Sequence, residues 1–102
     1  MATVGKRAMR AVHPGEVLRE DVIPALGKPK TMIARMLGIS RQSLHDVLSC
    51  KHPVTVPMAL RIGKLTGTSA ESWARMQLAY DLQMGEAAMA AQLAAIPTLE
   101  AA

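Results

Sequence analysis

The sequence is short of aromatic residues and of cysteine, and both shortages restrict what the protein can be. With no Phe, one Trp and one Tyr, any core must be assembled mainly from aliphatic side chains and the eight Met. The single Cys excludes an internal disulfide and metal sites built from several cysteines, and it favours a reducing cytoplasm. The sequence also lacks the apolar stretch of a signal peptide and the roughly 18 consecutive apolar residues of a membrane span. We therefore expect a cytoplasmic protein that makes no membrane contact.

Residue groupings that are typical of catalysis or metal binding are missing as well. His13, His45 and His52 fall in three different predicted elements, without a carboxylate or thiol partner at ligand spacing. No Ser/His/Asp grouping, paired carboxylate site or phosphate-binding glycine loop is recognisable. The sequence predicts a protein that is not an enzyme and that carries no metal or cofactor.

The residues that are present favour α-helix. Half of the sequence is apolar, Ala, Leu and Met are strong helix formers, and runs of β-branched residues are missing. The 102 residues suit one small domain with a modest core. We predict an all-α fold with a flexible N-terminal arm at 1–12, a folded domain at 13–84 and a C-terminal helical extension or tail at 85–102.

The helix boundaries follow from proline, glycine and capping residues. Pro14 suits the first position of a helix because it lacks an N–H, and Pro24 forces an end or a kink in the same helix. Leu18, Val22 and Ala25 would form the inward face of this helix. The later predicted helices are 30–37, 41 to about 49, one that starts after Thr55 and stops at Gly67, and one that is capped by Thr68 or Ser69 and interrupted at Gly85.

Basic residues are concentrated in the middle of the chain. Between residues 28 and 64 lie seven Lys and Arg residues and one acid, whereas residues 65–102 carry one Arg and four acids. A basic middle predicts contact with a polyanion, and an ordinary solvated surface is the alternative on charge alone.

The stretch IARMLGISRQSLHDVL, residues 33–48, has the spacing of a helix-turn-helix. Ala34 is small where the next helix must cross closely, and Gly38 permits a sharp reversal between the helices. Ser40 offers its hydroxyl as the N-cap of the second helix. In a helix-turn-helix, this second helix lies in the major groove of DNA. The inward positions that join the two helices are then Ile33, Leu37, Ile39, Leu44, Val47 and Leu48.

This spacing places polar side chains on the first turn of the second helix. Arginine can bond to guanine O6 and N7 together, and glutamine can bond to adenine N6 and N7. Asp46 lies one turn further on, where it would accept from cytosine or orient Arg41, although an acid near phosphates weakens binding. The candidate base-contacting residues are Arg41, Gln42, Ser43 and Asp46, and the candidate phosphate-contacting residues are Lys28, Lys30, Ser40, Lys51 and His52.

From His13 onward the sequence resembles the HigA-like (VapI-like) antitoxins of the XRE-type helix-turn-helix superfamily. The resemblance is carried by HPGEVLRED at 13–21, by residues 33–48, and by MALRIGKLTGTSAESWARMQLAYDL at 58–82. The HPGE opening, the GTS…W junction and the Q-x-AYDL ending are specific to this family within the superfamily.

The resemblance implies a five-helix, lambda-repressor-like DNA-binding domain that works as a homodimer. It also implies neutralisation of a cognate toxin, typically a RelE/HigB-like ribonuclease that cleaves messenger RNA, and repression of the toxin–antitoxin operon through a palindromic operator. Two other interpretations stay open. One is a stand-alone XRE-type transcriptional repressor without a toxin partner, and the other is a protein-interaction module whose polar turn at 40–43 contacts another protein.

Two short segments depart from the family pattern. Lys28-Pro29-Lys30 stands where a Ser-Gln pair usually begins the second helix, so we expect Lys30 to replace an amide contact to phosphate. Ser49-Cys50 replaces the frequent Asn-Gly after the third helix. Because cysteine tolerates a positive φ less well than glycine, we expect this helix to end differently. Cys50 is interpreted as a packed or loop thiol rather than a redox sensor.

Apolar side chains near the C-terminus are candidates for contacts with a partner. Trp73 and Tyr80 recur at helical spacing with Met76, which favours core or dimer packing over a ligand site. The apolar stripe of a last helix, at 86–96, would serve dimerisation or toxin contact, and packing within the chain or fraying is the alternative. The candidate dimer and partner residues are Trp73, Tyr80, Met89, Leu93 and Ile96.

Overall fold

The computed structural model describes residues 10–100, and this part of the chain is helical with no β-strand. The all-α prediction is confirmed. None of the helices within this range is both long enough and apolar enough to cross a bilayer. The first helix, α1, consists of three consecutive parts: Pro14–Val17, a π-helical turn at Leu18–Val22, and Ile23–Leu26. The helices that follow are α2 Lys30–Leu37, α3 Arg41–Leu48, α4 Val56–Thr66, α5 Ala70–Ala88 and α6 Ala90–Ala94.

The first turn of α1 is capped by a histidine. The Nδ1 atom of His13 accepts a hydrogen bond from the backbone N–H of Gly15 at 2.9 Å, and Pro14 follows as the first helical residue. Proline is tolerated there because the first amide groups of a helix have no partner within the helix. His13, Pro14 and Gly15 are all buried, so the start of α1 belongs to the core.

The second half of α1 departs from the predicted face. A proline inside a regular helix removes one N–H and clashes with the carbonyl four residues earlier. The π-helical turn that precedes Pro24 widens the helix at this place and accommodates its ring. The wider turn shifts the inward face by one position, so Ile23 is buried and Ala25 is exposed. The predicted inward position of Ala25 is therefore wrong.

The core is aliphatic and lies between α1, α2, α3 and α4, with Trp73 of α5 as its aromatic member. The inward positions predicted for the two helices of the helix-turn-helix are confirmed. Ile33 is fully buried, and Ala34 is nearly so, as a close helix crossing requires. The buried residues of α2 and α3 are Ile33, Ala34, Leu37, Leu44, Val47 and Leu48, and Ile39 packs against them from the turn.

The ends of α4 follow the predicted signals. The Thr55 hydroxyl accepts from the backbone N–H of Met58 at 3.3 Å, and Gly67 ends the helix with φ of 70°. The cap of α5 is Ser69 and not Thr68, because the Thr68 hydroxyl accepts from Trp73 Nε1 at 2.8 Å instead. Of the two caps that the sequence allowed, the structure therefore has the second.

The C-terminal part of α5 and all of α6 lie outside the core. α5 continues through Gly85 to Ala88, so the predicted interruption at Gly85 is wrong and the break falls at Met89. All residues of α6 are exposed, and the described chain measures 54 × 28 × 25 Å. A single glycine costs about 1 kcal/mol in a helix, which the continuing hydrogen bonds of a 19-residue helix can absorb.

The segment before α1 lies partly outside the described residues. Residues 1–9 of the predicted arm are outside them, and no structure is assigned to that stretch. Within the described part, the backbone N–H of Ala11 donates to Gln83 Oε1 at 3.0 Å, and Val12 is half-buried. The end of the predicted arm therefore contacts α5.

Candidate nucleic-acid interface

The reversal between α2 and α3 is built on Gly38. Its φ of 75° is left-handed, and its N–H donates to Arg35 O while the N–H of Ile39 donates to Ala34 O, both at 3.0 Å. This pair of bonds is the Schellman ending of a helix, which glycine adopts without steric cost. The predicted role of Gly38 is confirmed.

Arg61 of α4 holds the same turn from outside. Its guanidinium donates to the carbonyl oxygen of Leu37 at 2.7 Å, where the end of α2 leaves carbonyl groups without partners. A cation at this position also interacts favourably with the negative end of the helix dipole. Arg61 is one of the basic residues of the middle segment, and its role here is to fasten the helix-turn-helix to α4.

The first turn of α3 presents its polar side chains to solvent. The Ser40 hydroxyl accepts from the backbone N–H of Ser43 at 2.9 Å, so the predicted N-cap is confirmed. Arg41, Gln42 and Ser43 are exposed, whereas the next residue, Leu44, is buried. α3 therefore has one apolar face against the core and one polar face that is free to enter a groove of DNA, and we call it the recognition helix.

Four polar residues and Leu44 line an open groove beside the recognition helix. Arg41 and Gln42 share this groove with Lys30 of α2 and with His45. The structure thus brings a predicted phosphate-contacting residue next to two predicted base-contacting residues. The sequence did not lead us to predict His45 at this surface. It follows Arg41 by four residues, however, and this spacing puts it on the same helix face.

Ser43 and His52 meet in a second groove on the other side of the recognition helix. This groove is bounded by the loop after α3 and by the start of α4, where Thr55 and Arg61 contribute to its wall. Five of the nine predicted base-contacting and phosphate-contacting residues therefore line the two grooves, three in the first and two in the second.

Asp46 makes its contacts within the chain. One carboxylate oxygen accepts from Gln42 Nε2 at 2.9 Å, and the other lies 3.7 Å from His52 Nδ1. Its side chain is only 16% exposed, compared with 64% for that of His52. The assignment of Asp46 to base contact stays a prediction.

The remaining candidate phosphate contacts, Lys28, Ser40 and Lys51, are all exposed. Lys28 and Lys51 are exposed, one in the turn after α1 and one in the loop after α3. The Ser40 hydroxyl already bonds to Ser43, both as acceptor from its N–H and as donor to its hydroxyl oxygen. Their contact with phosphate remains a prediction.

The recognition helix ends at Cys50, which adopts a left-handed backbone conformation that usually favours glycine. Cys50 has φ of 64°, and its N–H donates to Val47 O while the N–H of Lys51 donates to Asp46 O. These are the bonds of a Schellman ending, so the expectation that α3 ends differently because of Cys50 is wrong. Next to this turn, the guanidinium of Arg19 donates a hydrogen bond of 2.8 Å to Leu48 O.

Two of the candidate partner residues have contacts within the chain. Trp73 is 6% exposed, and its indole N–H donates to the Thr68 hydroxyl. Core packing and dimer packing were both open for Trp73, and the structure shows core packing. Tyr80 is half-buried and packs edge-to-face on His13, with ring centroids 5.0 Å apart. Burial lowers the pKa of His13 below its ordinary value of 6.5, and the nearby carboxylate of Asp81 partly opposes this.

A buried glutamine, the first residue of the Q-x-AYDL ending, has a structural role that the sequence did not assign to it. Gln77 of α5 accepts from the backbone N–H of Val54 at 2.7 Å and donates to Asp81 at 2.9 Å. It thereby ties the loop between α3 and α4 to the long helix. No hydrophobic pattern signals such a residue, because a polar side chain on a helix is more often exposed.

The described residues do not assemble a metal site. Nowhere between residues 10 and 100 do three His, Cys, Asp or Glu side chains cluster closely enough to hold an ion.

Comparison with known proteins identifies the family of this fold. Virulence-associated protein I of Dichelobacter nodosus is 38% identical over 82 residues, which cover 80% of this chain and 76% of that protein. Pseudomonas aeruginosa antitoxin HigA, solved with the higBA promoter, has a TM-score of 0.82 and 30% identity over 89% of this chain and 100% of that one. The chain belongs to the HigA-like (VapI-like) antitoxins of the XRE-type helix-turn-helix superfamily.

A second antitoxin structure is similar to the same extent. The antitoxin GraA in complex with its operator has a TM-score of 0.82 and 32% identity, over 91% of this chain and 95% of that one. The chain matches no protein-family model. The resemblance noted in the sequence is confirmed.

Proposed function

We propose that this HigA-like protein is the antitoxin of a type II toxin–antitoxin module. It neutralises a RelE/HigB-like ribonuclease toxin in the cytoplasm, and it represses its own operon by binding operator DNA as a dimer. It does so without catalysis or a cofactor. The observation that carries this proposal is the exposed first turn of α3, where Arg41 and Gln42 share an open groove with Lys30.

The DNA partner is supported by the two related structures, one solved with a promoter and one with an operator. In this protein, a dimer would place two copies of α3 in successive major grooves about 34 Å apart. Arg41, Gln42 and Ser43 would then contact base edges. The phosphate-contacting residues would be Lys28, Lys30, Ser40, Lys51 and His52, which orient the helix without specifying sequence.

The partner surface is supported by apolar side chains that α5 and α6 leave uncovered. Met89, Leu93 and Ile96 are 46%, 43% and 63% exposed, and Leu78 and Leu82 of α5 are exposed as well. A soluble monomer rarely exposes an apolar patch of this kind without a binding role. We assign residues 85–102 to an extension that contacts the second copy or the toxin, and Tyr80 to the margin of this surface.

A gel-shift titration against the protein's own promoter tests the DNA function. The full chain is expected to bind a promoter duplex more tightly than a scrambled duplex of the same length. Replacing Arg41 or Gln42 by Ala should cost about 1–3 kcal/mol and relax specificity at one base pair per half-site. If Arg41→Ala weakens binding to both duplexes equally, Arg41 does not contact a base.

Co-expression with the neighbouring reading frame tests the antitoxin function. A stable complex that suppresses the toxicity of the second protein is the expected result. If the two proteins do not associate while promoter binding is retained, the stand-alone repressor is correct.

The dimer and toxin contacts of the extension are tested by truncation. Removing residues 86–102 is expected to lower the solution mass to that of a monomer or to abolish toxin binding. If both are unchanged, the extension serves neither contact.

A further inference from the structure

The carboxylate of Asp46 faces the protein on both of its oxygens. Oδ1 accepts from Gln42 Nε2 at 2.9 Å, and Oδ2 lies 3.7 Å from the ring of His52. Gln42 and Asp46 are four residues apart on one helix, which is the spacing at which such a hydrogen bond forms on a helix surface. With its side chain 16% exposed, Asp46 has little free surface to offer a base.

This hydrogen bond determines which way the Gln42 amide points. A carboxylate only accepts hydrogen bonds, so the amide nitrogen must face Asp46, and the opposite orientation would set two acceptor oxygens against each other. One N–H of Gln42 is then used within the chain. The carbonyl oxygen and the second N–H remain for a ligand.

The two groups that Gln42 leaves free, one acceptor beside one donor, match adenine better than guanine. Adenine presents N6–H as a donor and N7 as an acceptor, which this orientation of Gln42 satisfies completely. Guanine presents O6 and N7, both acceptors, and a free amide could meet them with its two N–H groups. Asp46 occupies one of these, so guanine would leave the Gln42 oxygen facing O6.

We propose that Asp46 is a positioning residue that orients the Gln42 amide so that Gln42 selects adenine over guanine, and that Asp46 itself contacts no base. This inference rests on the proposed DNA function. The ring of His52, in the loop after α3, lies 3.7 Å from the second carboxylate oxygen, and the backbone N–H groups of Lys51 and His52 donate to the backbone carbonyl oxygen of Asp46. The loop and the orientation of Gln42 are therefore coupled through one side chain.

The test measures base preference with the full chain. Binding is titrated against promoter duplexes in which each base pair of the protected site is changed in turn, for the wild type, Gln42→Ala, Asp46→Ala and the double variant. Asp46→Ala is expected to reduce the adenine-over-guanine preference about tenfold, at the same base pair that loses its preference in Gln42→Ala. The double variant should lose no more than Gln42→Ala alone, because the two residues act as one unit.

A conservative variant separates orientation from charge and folding. Asp46→Glu retains a side chain that only accepts, and it should recover part of the adenine preference. Loss of the negative charge strengthens binding to every duplex alike, so it does not change a ratio of affinities. Thermal unfolding confirms that each variant is folded at the temperature of the titration.

Two results would overturn the positioning role of Asp46 and leave the proposed DNA function intact. A third result would overturn both. A changed preference at a base pair other than that of Gln42 would show direct base contact by Asp46. An unchanged preference in Asp46→Ala would show that Gln42 needs no positioning. If the wild type has no sequence preference on its promoter, the DNA function itself is wrong.

Discussion

A Cβ atom on Gly15 would lie 2.0 Å from the backbone carbonyl oxygen of Val47, so the first turn of α1 rests directly on the recognition helix. The obstructing atom belongs to helical backbone and cannot swing aside as a side chain would. The glycine of the HPGE opening thus sets how closely α1 approaches α3. Because α3 carries the proposed base contacts, this approach also helps to fix their position.

Gly15→Ala is therefore expected to lower the free energy of unfolding by about 3 kcal/mol, since overpacking against backbone forces the two helices apart. Chemical denaturation of the wild type and the variant measures the change. Gly85→Ala is the matched control, because a Cβ there meets no atom within 4 Å. It should raise the stability by about 0.5–1 kcal/mol, as replacement of a helical glycine does. A Gly15→Ala variant as stable as the wild type would contradict the close contact.

Gln77→Met is expected to lower the free energy of unfolding by about 1–3 kcal/mol, because it leaves the buried N–H of Val54 without an acceptor. Hydrogen exchange at the Val54 amide should accelerate in the same variant. Gln92→Met, on the exposed surface of α6, is the control and should change stability by less than about 0.5 kcal/mol. Slow exchange at Val54 in Gln77→Met would show that another group accepts this hydrogen bond.

Cys50→Gly is expected to stabilise the protein by about 0.5–1 kcal/mol. Glycine relieves the strain of the left-handed φ, and the larger backbone entropy that glycine loses on folding offsets part of this gain. Cys50→Ala retains the positive φ and removes the thiol, so it controls for lost packing of the side chain. The two midpoints of denaturation should differ, with the glycine variant the more stable. Equal midpoints would mean that the left-handed φ carries no strain at this position.

The stability of the protein is expected to fall as the pH decreases below about 6.5, the ordinary pKa of histidine. Because burial lowers the pKa of His13 in the folded state, the unfolded chain binds the proton first, and acid shifts the equilibrium toward unfolding. The contribution of neutral His13 to the free energy of unfolding is fully present above pH 6.5 and is lost as the pH falls through the folded-state pKa of His13. Protonation also removes the Nδ1 acceptor that caps Gly15.

Unfolding measured as a function of pH in the wild type and in His13→Asn checks this. Asparagine retains a capping acceptor but does not titrate, so the slope below pH 6.5 should flatten. His45→Asn, at an exposed position, should keep the slope of the wild type. An unchanged slope in His13→Asn would exclude His13 as its source.

Lys51→Ala is expected to weaken binding to promoter and scrambled duplexes by the same factor, because a phosphate contact carries no sequence information. The slope of log affinity against log salt should decrease by about one. Lys64→Ala removes the same charge from a separate groove, lined by Met36 and Leu60, and should leave the slope unchanged. A loss confined to the promoter duplex would show that Lys51 contributes to specificity.

The helix-turn-helix was predictable because its signals are local. Gly38 and Ser40 act on hydrogen bonds within a few residues of themselves, and the buried positions of α2 and α3 repeat at helical spacing. By contrast, the shift of the inward face at Ala25 arises from a π-helical turn. The sequence shows that Pro24 must disturb the helix, but not whether the disturbance is an end, a kink or a wider turn.

The residues that fasten the site were not predictable in the same way. Arg61 bonds to a carbonyl 24 residues away, and Gln77 bonds to an amide 23 residues away, so neither role leaves a periodic pattern. Cys50 is the opposite case, because its local preference argued against the left-handed conformation that it adopts. The left-handed conformation carries an intrinsic cost of about 1–2 kcal/mol, so the local preference of the residue does not decide how α3 ends.

Helix content, the tight turn at Gly38 and the polar first turn of α3 are consequences of the chain's own local chemistry, and they are sufficient to point to DNA. The pairing of Asp46 with Gln42, the separation of the exposed turn into two grooves and the burial of Trp73 and Gln77 depend on how the helices meet. Spacing along one helix shows that two side chains can touch, but the surrounding elements determine which of the possible hydrogen bonds forms. Packing therefore decides which polar groups remain available to a ligand.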